Sequence, residues 1–259
     1  MLLKDKVAIV SGIGPGMGRD ISLAFAREGA NVVLAARTAS ALESLADEIR
    51  KMGRKAVAVP TDISKLEDCE RLAKTAVAEL GRIDVLVNNA FQGPSFRPIE
   101  QDNVADWRKI FDVNVIGSIQ LSKACVPQMK AQGGGSIVMI NSMSMRIVEP
   151  GHGGYAASKG ALMVATQTLA KELGGYKIRV NSVVPGYIWS EKLEGYFKIL
   201  GQQQGTSGEA VYKDIASRTC LHHIPDSAEI ADTVVFFASD LSRVVSGQAL
   251  DVNAGHFMH

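Results

Sequence analysis

A chain of 259 residues, 46% hydrophobic and 21% charged, can bury a large core and leaves little room for disorder. Its 28 basic and 27 acidic residues give a formal net charge of +1, which leaves no electrostatic footprint for nucleic acid or an anionic membrane. The apolar runs fall far short of the ~20 residues of a membrane span, and the opening MLLKDKVAIVSG has no long apolar stretch behind a basic start, so a cytoplasmic chain is expected. Cys69, Cys125 and Cys220 form neither a CxxC nor a Cys/His pattern, and the adjacent His222 and His223 cannot share a helix face. Neither a disulfide framework nor a metal site is indicated.

The first strand is expected over "KVAIVS" (6–11), followed by "SGIGPGMGRD" and a helix at about 17–28. Gly12, Gly16 and Gly18 read as Gly-x3-Gly-x-Gly rather than GxGxxG, but the physics is shared. Glycines allow the tight turn and let backbone approach a pyrophosphate, and the helix N-terminus offers unpaired N–H groups. The second strand, "NVVLAA" (31–36), ends at Ala36, where an acid that would accept from an adenosine ribose is missing. Arg37 follows at once, and its fork of donors suits a 2'-phosphate, which favours NADP(H), with NAD(H) as the alternative.

A helix at 40–52, a strand at 55–60 and a helix at 64–80 continue the alternation. Next come the strand "IDVLVNN" (83–89), a long helix at 103–131 and the strand "GSIVMINS" (135–142). A helix at 154–174 opens on "YAASK", which places Tyr155 and Lys159 on one helical face. "IRVNSVV" (178–184) and "ALDVN" (249–253) are the last strands, with a helix at 227–239 between them. The strands are apolar throughout, the mark of a sheet covered on both faces. The expected fold is α/β, a doubly wound parallel sheet of about seven strands in one domain over 1–259. Residues 187–217 break the rhythm with an aromatic, Gly- and Gln-containing insertion, which reads as a substrate loop or lid, or else as a surface helical hairpin.

The glycine loop, "NNA" at 88–90, Ser142 and Tyr155-x3-Lys159 occur in an order that closely resembles the short-chain dehydrogenase/reductase family, in its single-domain branch of about 250 residues. The likeness runs on through "PG" at 185–186 to "SGQALDVNAG" at 246–255. It implies Tyr155 as general acid/base, Lys159 as the lysine that activates it, Ser142 as the holder of the carbonyl oxygen and Asn114 as part of a proton relay. It further implies cofactor contacts from Gly12, Gly16, Met17, Gly18, Arg37, Asp62, Ile63, Asn88, Ala90, Tyr155, Lys159, Pro185, Gly186, Ile188 and Ser190. The chemistry calls for these types. A ketone that receives a hydride becomes an alkoxide and needs a proton, while a free phenol with a pKa near ~10 is a poor base near neutrality. An ammonium alongside favours the phenolate.

Three positions depart from the family pattern. Phe91 stands where Gly usually follows "NNA", Ser190 where Thr usually follows "PG", and Pro15 where many NADP-dependent members carry a basic residue. The resemblance places Phe91, Ser142, Met143, His152, Tyr187 and Trp189 around the substrate, an apolar and aromatic set suited to a bulky ketone or secondary alcohol. The expected activity is interconversion of such an alcohol and ketone. The alternatives are reduction of 3-oxoacyl chains on a carrier protein and a non-catalytic cofactor-binding role. A homotetramer or homodimer built on the long helices and the last strand is expected.

Overall fold

The computed structural model describes residues 1–258, and His259 lies outside the described residues. Seven strands form one parallel sheet: β1 (Val7–Ser11), β2 (Asn31–Ala36), β3 (Ala56–Pro60), β4 (Val85–Asn88), β5 (Gly135–Ile140), β6 (Ile178–Pro185) and β7 (Ala249–Val252). Their order is β3-β2-β1-β4-β5-β6-β7. The helices are α1 (Met17–Arg27), α2 (Ala39–Lys51), α3 (Leu66–Leu80), α4 (Val104–Phe111), α5 (Ser118–Ala131), α6 (Gly153–Leu173), α7 (Glu191–Gln203), α8 (Gly208–Ser217) and α9 (Ser227–Ala238).

The inner strands β1, β2, β4, β5 and β6 are buried on both faces, as their sequences predict, while the edge strands β3 and β7 are partly open. Alternate residues of β1 divide between two cores: Ala8 and Val10 face α1, α2 and α9, while Val7 and Ile9 face α3, α5 and α6. A single domain with helices on both sides follows. The order reverses between β2-β1 and β1-β4, so a crevice opens beyond the carboxyl ends of these strands, where open α/β sheets place ligands.

One local feature differs from the sequence reading. The helix expected over 103–131 is interrupted by a π-turn, Asp112–Gly117, between α4 and α5. A widened turn of this kind aims side chains off the regular helical positions, and here it carries Asn114. The segment 187–217 folds as a helical hairpin, α7 and α8, with its own small core of Phe197, Val211, Ile215, Ala216 and Ile224. Ser190 and Ser207 cap the two helices by accepting from Leu193 N at 3.2 Å and from Ala210 N at 3.1 Å.

Candidate active site

The loop from β1 to α1 is built against the end of β4. Gly12 has φ +78, and a Cβ there would lie 2.4 Å from the Cα of Ala90, so only glycine fits. Its N–H donates to Ala35 O at 2.8 Å. Asn89 Nδ2 donates to Ser11 O at 3.1 Å and to Gly12 O at 2.9 Å, which locks the loop's entry. A Cβ on Gly18 would stand 2.4 Å from Gly12 O, and Gly16, at φ +99, starts α1 with no side-chain cap. The first-turn N–H groups of α1 are thereby left for an anion.

A groove runs from this loop past Ala36, Arg37, Asp62 and Ile63 to Ala90 and Phe91. No carboxylate stands at the end of β2, and no carboxylate among the described residues pairs with the exposed Arg37. Asp62 turns its carboxylate onto Ser64, accepting from Ser64 Oγ at 2.7 Å, while its N–H is held by Asp68 Oδ2 at 2.8 Å. That backbone hydrogen bond, with Arg71 beside it, lowers the Asp68 pKa and steadies the loop after β3. Glycine cradle, free helix terminus, the Asp62 loop and the free guanidinium together fit an extended dinucleotide.

Phe91, at the far end of the groove, meets the Tyr155 ring of α6 edge-on. The Trp107 indole lies on Gly153 and Gly154, where added Cβ atoms would stand 2.9 and 3.0 Å from the ring, so the first turn of α6 is pinned just before Tyr155. Trp107 is itself held by Nε1 donating to Asp102 Oδ2 at 2.6 Å. Tyr155 is partly exposed, and its phenol is hydrogen-bonded to Ser142. Lys159 is buried with its Nζ donating to Ile140 O at 2.8 Å and lying 5.6 Å from the centre of the Tyr155 ring. Ser142, Tyr155 and Lys159 are thus brought together from β5 and α6.

Burial raises the Tyr155 pKa, against the opposing pull of Ser142, and burial lowers that of Lys159 from 10.5 to about 7. In the free protein the lysine does not yet create a phenolate. Near neutrality the phenol keeps its proton, and the ammonium is costly to bury.

Asn114 is buried on the π-turn and locked in place. Its Oδ1 accepts from Gln92 N at 2.7 Å, and its Nδ2 donates to Gln92 O at 3.0 Å and to Ser158 Oγ at 2.9 Å. Ser158 Oγ donates in turn to Tyr155 O at 2.7 Å, so Asn114 ties the loop after β4 to the tyrosine's own turn. Ile63 packs on Gly117, whose Cβ would lie 2.9 Å from it.

The remaining candidates divide. Asn88 is a buried strut, donating to Ser122 Oγ at 3.0 Å and Met139 Sδ at 3.3 Å, and does not line the groove. Met17 and Ile188 pack against the core on the α1 side, Pro185 ends β6 beside Val252, and Ser190 is engaged as the α7 cap. Gly186 fits tightly, since a Cβ would lie 2.7 Å from Asn253 Cβ and 3.2 Å from Met143 Sδ. On the substrate side, Phe91 is 62% exposed and meets the Tyr155 ring edge-on at 6.3 Å. His152 packs on Phe96 at 5.3 Å, and Tyr187 stacks on His256 at 5.8 Å. Trp189 joins the hairpin's own core, 4.7 Å from Tyr212 and 5.9 Å from Phe197.

Sequence reasoning passed over Asn89, Trp107 and Ser158. The first was visible as the second half of the "NN" doublet. For Trp107 the signal was the Gly153–Gly154 pair ahead of Tyr155, a place for something large to approach. Ser158 carried no signal beyond lying inside "YAASK".

A family model described as enoyl-(acyl carrier protein) reductase matches residues 12–256. A 7alpha-hydroxysteroid dehydrogenase of Escherichia coli (strain K12) is 32% identical over 253 residues, covering 98% of this chain and 94% of that protein. A 3-oxoacyl-(acyl-carrier-protein) reductase of Staphylococcus epidermidis is 31% identical over 261 residues, with 98% and 100% covered. The crystal structure of carveol dehydrogenase from Mycobacterium avium in complex with NAD superposes with a TM-score of 0.91 at 29% identity, covering 98% of each chain.

Proposed function

Because the chain belongs to the short-chain dehydrogenase/reductase family, we propose that it interconverts a secondary alcohol and a ketone on a hydrophobic, ring-containing small molecule, with Tyr155 as general acid/base. The observation that carries this reading is the convergence of Ser142, Tyr155 and Lys159, with the Tyr155 ring meeting Phe91 of the groove that begins at Gly12. Gly12, Arg37, Asp62 and Ile63 would hold a nicotinamide cofactor, which would supply or accept the hydride. Ser142 and the Tyr155 hydroxyl together offer hydrogen bonds to the carbonyl oxygen where negative charge develops. Tyr155, kept protonated by burial near neutrality, donates the proton that converts the alkoxide to the alcohol. Lys159 steadies the phenolate left behind, and Asn114 fixes the backbone on which Tyr155 rides.

Phe91, 62% exposed and edge-on to the Tyr155 ring, gives the site a large apolar face, in keeping with a ring-containing substrate. The steroid and carveol named for two of the similar proteins are ring compounds as well. The reading is tested by assaying purified protein with cyclic, aromatic and steroidal ketones and a 3-oxoacyl thioester, each with NADPH and NADH. Turnover confined to the thioester would move the assignment to carrier-linked reduction.

For the cofactor, Ala36 provides no carboxylate to repel a 2'-phosphate, and the unpaired Arg37 provides a bidentate partner. A charge-assisted contact is worth about 1.5 to 3 kcal/mol, or roughly ten- to a hundredfold in affinity. Exposure of Arg37 sets the lower end of that range. The carveol dehydrogenase structure holds NAD, so Ala36 and Arg37 alone carry the preference in this chain. The double change Ala36→Asp with Arg37→Ala is expected to shift kcat/KM toward NADH, and a native preference for NADH would refute the argument from Arg37.

The long helices leave apolar residues in solvent: Val104 on α4 is 66% exposed and Val164 on α6 63%, while Leu250 on β7 is 44% exposed. Closed association through these elements would cover them. Light scattering at micromolar concentration should give a dimer or tetramer mass; a clean monomer would exclude this assembly.

A further inference from the structure

The turn that carries Ser142 is anchored by an ion pair that the sequence did not suggest. Ser142 begins a short 3-10 turn, Met143–Met145: its Oγ accepts from Ser144 N at 3.2 Å, and its carbonyl accepts from Met145 N at 3.2 Å. At the start, Asn141 N donates to Val183 O at 2.8 Å, which ties the turn to β6. At the far end stands Arg146, whose N–H donates to Met143 O at 2.8 Å. The Arg146 guanidinium reaches past β6 to β7, where its Nε lies 3.2 Å from Asp251 Oδ1, with side-chain exposures of 17% and 13%. Met143 fills the space between, against Gly186.

An ion pair this far out of water gains little net stability, since desolvating both charges offsets their attraction. It does tie the far end of the turn to β7. We propose that Arg146, paired with Asp251, is a positioning residue that holds the Ser142 turn in register with Tyr155. This rests on the reading of Ser142 and Tyr155 as the alcohol–ketone site. Tyr155 is faced by Ser142 from the turn, by Lys159 from α6 and by Phe91 from the loop after β4. Of these contacts, the Ser142 hydrogen bond favours the phenolate and burial opposes it. Loosening the turn weakens that bond and moves Tyr155 ionisation to higher pH.

The test compares wild type with Arg146→Met, Arg146→Lys and the exchange Arg146→Asp with Asp251→Arg. With the best ketone or alcohol of the substrate panel, Arg146→Met is expected to lower kcat on the order of tenfold to a hundredfold. The Tyr155-dependent limb of alcohol oxidation should shift to higher pH, with cofactor affinity unchanged. Arg146→Lys and the exchanged pair should each recover part of the rate and of the limb, and they keep the test decisive if Arg146→Met does not fold. Unfolding temperature and tyrosinate absorbance are recorded alongside. A loss of thermal stability with kcat and the limb unmoved would overturn the positioning role while leaving the proposed function standing. Wild type without Tyr155-dependent turnover would remove that function, and with it the reaction the pair serves.

Discussion

Tyr155→Phe is expected to lower kcat by roughly a hundred- to ten-thousandfold, the range over which a positioned proton donor acts, while cofactor affinity stays near that of wild type. The ring is retained, so its edge-on contact with Phe91 and its place above Lys159 survive. What disappears is the hydroxyl that faces Ser142 and would protonate the alkoxide. Because kcat should fall with little change in binding, the loss belongs to the transition state. The native pH profile supplies a second check. Burial holds the Tyr155 pKa above its usual value, so ketone reduction should persist through neutrality, while alcohol oxidation should climb toward alkaline pH. A Phe variant that keeps more than about a tenth of native turnover would end the assignment.

Lys159→Met should be nearly as damaging to turnover, and it should make the free protein more tolerant of acid. Burial lowers the Lys159 pKa from 10.5 to about 7. Between these values the unfolded chain holds a proton that the folded chain has shed, so this group's contribution to stability rises with pH across the window. Below about 7 the folded protein bears the full cost of a buried ammonium. Methionine removes that cost at the expense of a pH-independent loss, the hydrogen bond to Ile140 O. The difference in unfolding temperature between variant and wild type should therefore favour the variant more at about pH 6 than at about pH 10. An unchanged difference across that range would mean that Lys159 is not titrating as its burial dictates.

Arg146 and Trp107 illustrate what a linear reading misses. Arg146 lies among "MSMRIVEP" with no periodicity to mark it, and its partner Asp251 is over a hundred residues away on the last strand. Trp107 would pass for an ordinary amphipathic helix residue until the Gly153–Gly154 surface is seen beneath it. The π-turn was hidden for a similar reason: nothing in "DVNVIG" marks a widened turn, and the Asn114 on it is bonded to Gln92 and Ser158 from other segments. The hairpin α7–α8 escaped a firm reading because its apolar residues pair with one another rather than with the sheet.

The sequence by itself determined the alternation of buried strands and helices, the glycine loop, the missing carboxylate at Ala36 and the one-face spacing of Tyr155 and Lys159. All of these follow from local patterns: apolar runs that need cover on two faces, glycines that alone permit close backbone approach, and a helical repeat that sets side chains four apart side by side. Only the tertiary structure decided which groups surround the phenol, that burial outweighs Ser142 in its titration, that Asp62 turns onto Ser64, and that a buried pair joins the Ser142 turn to β7. Those outcomes depend on desolvation and on partners brought together by the sheet order, and no stretch of chain encodes either until its neighbours are packed around it.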